Sequence, residues 1–87
     1  MVNWQALEQL QVGKTIEING MVLTIVYTQP YIGGTELYLK NNLALEFMLQ
    51  IPQDKSLEGL QFYKVFRHDT ELMFRIVGFQ KKIIIRA

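Results

Sequence analysis

Thr15-Ile16-Glu17-Ile18-Asn19-Gly20-Met21-Val22-Leu23-Thr24 decides the fold. Two runs of alternating residues flank Asn-Gly, the dipeptide best suited to the positive φ angles of a two-residue type I′ turn. A hairpin on that turn sets Ile18 opposite Met21, Glu17 opposite Val22, Ile16 opposite Leu23 and Thr15 opposite Thr24. One face then carries Ile16, Ile18, Met21 and Leu23 while the other is mixed, as a half-buried sheet requires. The two strands read as residues 14–18 and 21–28.

Upstream, Val2-Asn3-Trp4-Gln5-Ala6-Leu7-Glu8-Gln9-Leu10 has a helical repeat, with Trp4, Leu7 and Leu10 on one face and Asn3 as N-cap. Val2 and Leu7 have the spacing of a hydrophobic staple, and Gly13 is a fitting stop. A helix this short is marginal alone, so its apolar stripe is expected to dock on the strands that follow.

Downstream, the loop Pro30-Tyr31-Ile32-Gly33-Gly34 leads to a strand over 35–40, and Asn41-Asn42 leads into 43–51, where Leu43, Leu45, Phe47, Leu49 and Ile51 alternate. A two-residue turn would set Leu37 opposite Glu46. An odd-numbered loop, expected at three residues, aligns Leu37 and Leu39 with the apolar face of the next strand. Residues 52–59 form a polar connection with room for one helical turn at Ser56-Leu57-Glu58. The last hairpin joins 61–67 to 71–77 about His68-Asp69-Thr70. A three-residue loop there pairs Arg67 with Glu71 and Phe66 with Leu72, placing Phe62, Phe66, Leu72, Phe74 and Ile76 on one core face. Gly78 marks a bulge or bend before a β-branched strand over 82–86.

The expected fold is mainly β: a small antiparallel meander, SH3-like or barrel-like, with one short N-terminal helix. An open curled sheet with the helix on one face is the alternative. The chain of 87 residues allows one domain over 1–87, with 3–12 as helix and lead-in, 14–51 as two hairpins, 52–59 as the connection and 60–87 as basic C-terminal strands.

With no cysteine, neither a disulfide nor a thiolate metal site is available to staple so small a domain. The apolar fraction of 49% is high for this length, so either a thin sheet-based core consumes all of it or surface is left for an oligomer or partner interface. No stretch approaches the roughly 20 apolar residues of a membrane span and no signal peptide is recognisable, so no membrane partner is expected and the cytoplasm is the expected compartment. The formal net charge of +1 hides an asymmetry: through residue 59 three lysines face six carboxylates, and from residue 60 six cations face two. Charge divided between halves points to a partner, whether nucleic acid, an acidic surface or a second copy of the chain.

Catalytic chemistry has little to work with. Gly13-Lys14-Thr15 ends like a phosphate-binding loop, but Glu8 stands where the first glycine belongs and a helix leads into a strand rather than the reverse. Ser56 is the only serine and His68 the only histidine; Asp69, adjacent to His68 in a tight turn, is poorly placed to orient its ring. Glu36 and Glu46 can face each other across a hairpin as an acid–base pair, although an exposed sheet face more commonly carries two solvated charges. No metal or cofactor is expected.

Two binding readings follow. The first is a non-catalytic protein-interaction module that self-associates as a homodimer or larger oligomer, of the kind found among bacterial or phage accessory and inhibitor proteins, with Tyr31, Ile32, Gly33 and Gly34 as contact loop. The second is a nucleic-acid-binding small β-barrel in which Tyr63, Lys64, Arg67, Arg75, Lys81 and Lys82 supply stacking and phosphate contacts.

Overall fold

In the computed structural model, residues 2–86 are described, with side chains through Ile85. The end residues of the expected 1–87 domain, Met1 and Ala87, lie outside the described residues. Strands β1 (Thr15–Ile18) and β2 (Met21–Tyr31) pair as Thr15–Thr24, Ile16–Leu23, Glu17–Val22 and Ile18–Met21. Asn19 and Gly20 take φ of 53° and 76°, the two positive values a type I′ turn needs.

The chain continues through β3 (Gly34–Lys40), β4 (Glu46–Pro52), β5 (Gln61–His68), β6 (Glu71–Val77) and β7 (Ile83–Arg86). All pairs are antiparallel, and the sheet order β6-β5-β4-β3-β2-β1-β7 is a meander whose last strand returns to cover β1. Among the described residues no ladder joins β6 to β7. The sheet is therefore an open curl rather than a barrel closed by hydrogen bonds.

Curling brings Ile16, Ile18, Leu23, Ile25, Leu37, Leu39, Phe47, Leu49, Leu60 and Phe62 into one buried cluster. The mouth between the sheet's ends is filled by side chains: Phe62 stacks on Phe47 at 5.4 Å and meets Phe79, from the crossover to β7, at 5.8 Å. Lys81 donates to the Leu60 carbonyl and ties that crossover down. Helix α1 (Trp4–Glu8) has the expected cap, Asn3 Oδ1 accepting from the Ala6 N–H at 3.1 Å, and Val2 and Leu7 are buried in the cluster with Trp4 and Leu10 packed against it.

Four local expectations require correction. Residues 30–34 are not a long loop: β2 runs to Tyr31, β3 begins at Gly34, and only Ile32-Gly33 turn. The loop after β3 is odd-numbered and aligns Leu37 with Leu49 and Leu39 with Phe47 as expected, but it spans 41–45 rather than three residues. Asn41 holds it open, its Oδ1 accepting from the Leu43 and Leu45 N–H groups at 2.9 Å, so Leu43 and Leu45 leave the strand. Residues 57–59 form a turn instead of a helical turn.

The fourth correction has the largest consequence. His68 pairs with Glu71, Arg67 with Leu72 and Phe66 with Met73, so the β5–β6 turn is Asp69-Thr70 alone, with Asp69 at φ 56°. Asp tolerates that angle better than most residues. A one-residue change of register exchanges the two faces of a strand. Leu72, Phe74 and Ile76 accordingly point away from the core, and Val77 is the β6 residue that packs against it.

Candidate protein interface

Residues sharing a rung share a face of the sheet. The register thus gives the outer face, opposite the core, three rows that cross several strands. Gln29-Glu36-Gln50-Gln61 is polar; Tyr27-Tyr38-Met48-Tyr63-Ile76 is apolar and aromatic; Lys40-Glu46-Val65-Phe74 is mixed. A bulge at Val26 makes the middle row possible, because the extra residue turns Tyr27 outward beside Tyr38 at a ring distance of 5.7 Å. Tyr63 meets Phe74 edge-on at 6.3 Å. Met48 and Val65 are buried yet lie outside the main core cluster, so a thin second apolar layer covers the outer face.

That layer continues onto a projecting arm. Pairing of β4 with β5 ends at the Glu46–Val65 rung, whereas β5 and β6 remain paired to His68–Glu71. Beyond β4 the hairpin is two strands wide and apolar on both sides. Leu72 stands on the outer side and Phe66 and Met73 on the core side, with Phe74 facing outward on the last rung shared with β4; all four are exposed, Met73 by 55%, as is Ile76, further in along β6, by 62%. β6 is also a sheet edge, open along its other side.

Charges fasten the base of the arm. Arg67 donates through Nε to Glu46 Oε2 at 2.6 Å, with Lys40 4.0 Å from the same carboxylate. Lys64 sits 4.8 Å from the Phe66 ring centroid and 5.3 Å from that of Phe47, and Arg75 approaches Phe66 to 5.3 Å from the other strand. The Arg67 hydrogen bond holds the Glu46 carboxyl below the usual glutamate range, assisted by the charges of Arg67, Lys40 and Lys64 against a smaller opposing effect of burial. Burial, followed by the nearby Glu36 carboxylate, pushes the phenols of Tyr31 and Tyr38 up.

The Glu46 shift has a defined sign. A carboxyl with a lowered native pKa contributes stability that is complete above its unfolded pKa and is lost as pH falls through the native value. Glu46→Gln is therefore expected to flatten the acid limb of stability, with the two proteins converging toward low pH. Urea midpoints measured between about pH 3 and pH 6 will show it; parallel acid limbs for both proteins would remove the assignment.

The sequence-derived candidates are placed as follows. Tyr31 and Gly34 are the paired last and first residues of β2 and β3, and Ile32-Gly33 turn between them with Ile32 104% exposed, at the end of the sheet away from the β5–β6 arm. The proposed nucleic-acid set divides: Lys64 and Arg75 share a rung on the core side with Phe66, Tyr63 and Arg67 lie on the outer side, Lys81 is engaged with Leu60, and Lys82 is exposed on the crossover. Glu36 and Glu46 share the outer face but are separated by the Tyr38–Met48 rung, with Glu36 accepting from Gln50 and Glu46 engaged by Arg67. His68 and Asp69 lie 3.5 Å apart at the exposed arm tip, while Ser56 Oγ accepts from the Gly59 N–H elsewhere. Among the described residues no helix is long and apolar enough to cross a membrane.

No protein family, no characterised protein and no solved structure matches this chain. Its surface must therefore be read on its own chemistry. Sequence reasoning missed Leu72, Phe74 and Ile76 as surface-layer residues because it assigned them to the core. The signal that could have found them is the parity of the turn: Asp69-Thr70 as a two-residue turn puts Arg67 opposite Leu72.

Proposed function

We propose that this chain is a non-catalytic, self-associating interaction domain, cytoplasmic in setting, whose contact surface is the β5–β6 arm with the adjoining outer face. One observation carries the proposal: the arm exposes large apolar side chains on both of its faces along an open sheet edge. A two-stranded hairpin is marginal in water without a covering layer. Natural sheets generally protect such edges with charge, proline, bulges or a cover. Exposed, contiguous apolar area of this kind marks interaction surfaces in folded proteins. The aromatic row Tyr27-Tyr38-Met48-Tyr63-Ile76 fits the same use, since tyrosine is enriched where contacts are energetically strongest.

Nucleic-acid binding is the second reading, supported by Phe66 lying between Lys64 and Arg75. Light scattering at about 50 and 500 mM salt, with and without a mixed-sequence single-stranded oligonucleotide, separates the two. The expected result is a mass above that of one chain at both salts, unchanged by the oligonucleotide. A single-chain mass that rises with oligonucleotide only at low salt would overturn the interaction-domain reading in favour of the second.

A further inference from the structure

The sequence of β6, Glu71-Leu72-Met73-Phe74-Arg75-Ile76-Val77, is complementary to itself. When two antiparallel copies of an edge strand meet about a two-fold axis perpendicular to the sheet, each residue faces one on the same side of the sheet. The axis must then pass through a residue opposed to its own copy. Centred on Met73, the arrangement sets Glu71 opposite the partner's Arg75, Leu72 opposite the partner's Phe74, and Thr70 opposite the partner's Ile76. Centred on Glu71 or Arg75, it opposes like charges. Centred on Phe74, it sets Glu71 against Val77 and Arg75 against Met73; centred on Leu72, it sets Glu71 against Met73 and carries Arg75 past the strand to Asp69 in the turn. Of these five registers, the Met73 register alone pairs Glu71 with Arg75 within the strand while opposing Leu72 to Phe74 and Met73 to its own copy.

The flanking strands reinforce this choice. On the core side the Phe66–Met73 rung would extend into Met73 and Phe66 of the second copy, a row of aromatic and thioether groups bounded by an ion pair at each end. On the outer side Val65 and Phe74 would adjoin Leu72 and Arg67 of the second copy. Within a single chain, neither Glu71 nor Arg75 has an ion-pair partner among the described residues. In the single chain Arg75 lies 5.3 Å from the Phe66 ring of β5, so its guanidinium is on the core face but turned inward from the open edge, and pairing with Glu71 of a second copy requires it to swing outward.

We propose that two copies of this chain pair antiparallel through their β6 edges in the register centred on Met73, joining their sheets into one. The interface residues are Leu72, Met73, Phe74 and Ile76, with reciprocal Glu71–Arg75 ion pairs setting the register. This deepens the self-association proposed above and rests on it.

Charge reversal tests the register. Glu71→Arg and Arg75→Glu each place two like-charge pairs in the interface, and each is expected to weaken self-association about tenfold. The double variant E71R/R75E restores opposite charges and is expected to recover wild-type association. Sedimentation equilibrium provides the constants, and circular dichroism confirms that each variant is folded. Since the chain has no cysteine, Met73→Cys supplies an independent check. Under mild oxidation M73C is expected to form a covalent dimer, because directly opposed strand residues lie within disulfide reach, whereas I76C, opposite Thr70, is expected to stay reduced. Wild-type association unaffected by either reversal, with no M73C dimer, would overturn the register while leaving self-association intact. A wild type that remains a single chain at all attainable concentrations would overturn both.

Discussion

Phe62→Ala is expected to leave the protein largely unfolded at room temperature. Phe62 is fully buried at the place where the curled sheet has no backbone closure, stacked on Phe47 and tilted against Phe79. Truncating a buried phenylalanine costs about 3–5 kcal/mol through lost transfer energy and the cavity left behind. A domain of this length has on the order of 4–13 kcal/mol of stability in total. The loss should be at the upper end, because the side chain also holds the crossover carrying Phe79 and Lys81, and hence β7, against the rest of the sheet. The measurement is chemical unfolding followed by far-ultraviolet circular dichroism. Phe62→Leu, which retains much of the volume, should keep a cooperative transition. If Phe62→Ala unfolds with nearly the wild-type midpoint, the mouth of the sheet is not held by this ring.

The second large effect is expected at Gly34. A Cβ built there would lie 2.0 Å from the Ile51 carbonyl oxygen and 2.8 Å from the Gln53 nitrogen, and its φ of +153° disfavours any side chain. Both obstacles are backbone. The adjoining rung pairs Gly34 with Pro52, and the Gln53 N–H donates to the Gly33 carbonyl at 2.7 Å, so β3 and β4 cannot separate without losing that bond. Gly34→Ala is expected to cost about 1–3 kcal/mol or more, lowering Tm by at least several degrees. Gly33→Ala makes a useful contrast. Its Cβ would meet the Tyr31 ring at 2.7 Å, and that ring is the far end of a side chain that can swing aside. The Gly33 variant should therefore melt much closer to wild type. Equal losses at the two positions would mean that turn conformation, rather than contact with Ile51, sets the requirement for glycine.

The interface residues were less legible than the hairpin that begins the sheet. Asn19-Gly20 carries its turn type in two residues, and the strands on either side have one clearly apolar face, so register follows from local chemistry. The five-residue loop at 41–45 was half legible: parity came from the need to align Leu37 and Leu39 with Phe47 and Leu49, while length depended on Asn41 accepting two backbone N–H groups. The bulge at Val26 was invisible because Val26, Tyr27 and Thr28 are all acceptable in a strand on either face. It nevertheless determines that Tyr27 joins the outer row.

β6 shows the limit most clearly. Its sequence favours Leu72, Phe74 and Ile76 as the buried set, since the other set contains Glu71 and Arg75. The structure buries neither set. β4 pairs Leu49 with Phe62 and thereby fixes which face of β5 meets the core; the two-residue turn at Asp69-Thr70 then carries that choice to β6 and places Val77 inward. Phe74 and Ile76 lie beside β4 but on the outer face, and Leu72 and Met73 extend past the end of β4, where no core exists to reward an apolar face.

From the residues alone came the β class, the capped helix, the first hairpin with its register, and a high apolar content. Each depends on interactions between near neighbours, or on composition. Tertiary structure alone decided which strands became edges, which β6 residues faced outward, and that Phe66, Leu72, Met73, Phe74 and Ile76 are exposed together on the β5–β6 hairpin. Those outcomes depend on where one strand's ladder ends relative to another's, a nonlocal property that alternation within a single strand does not encode.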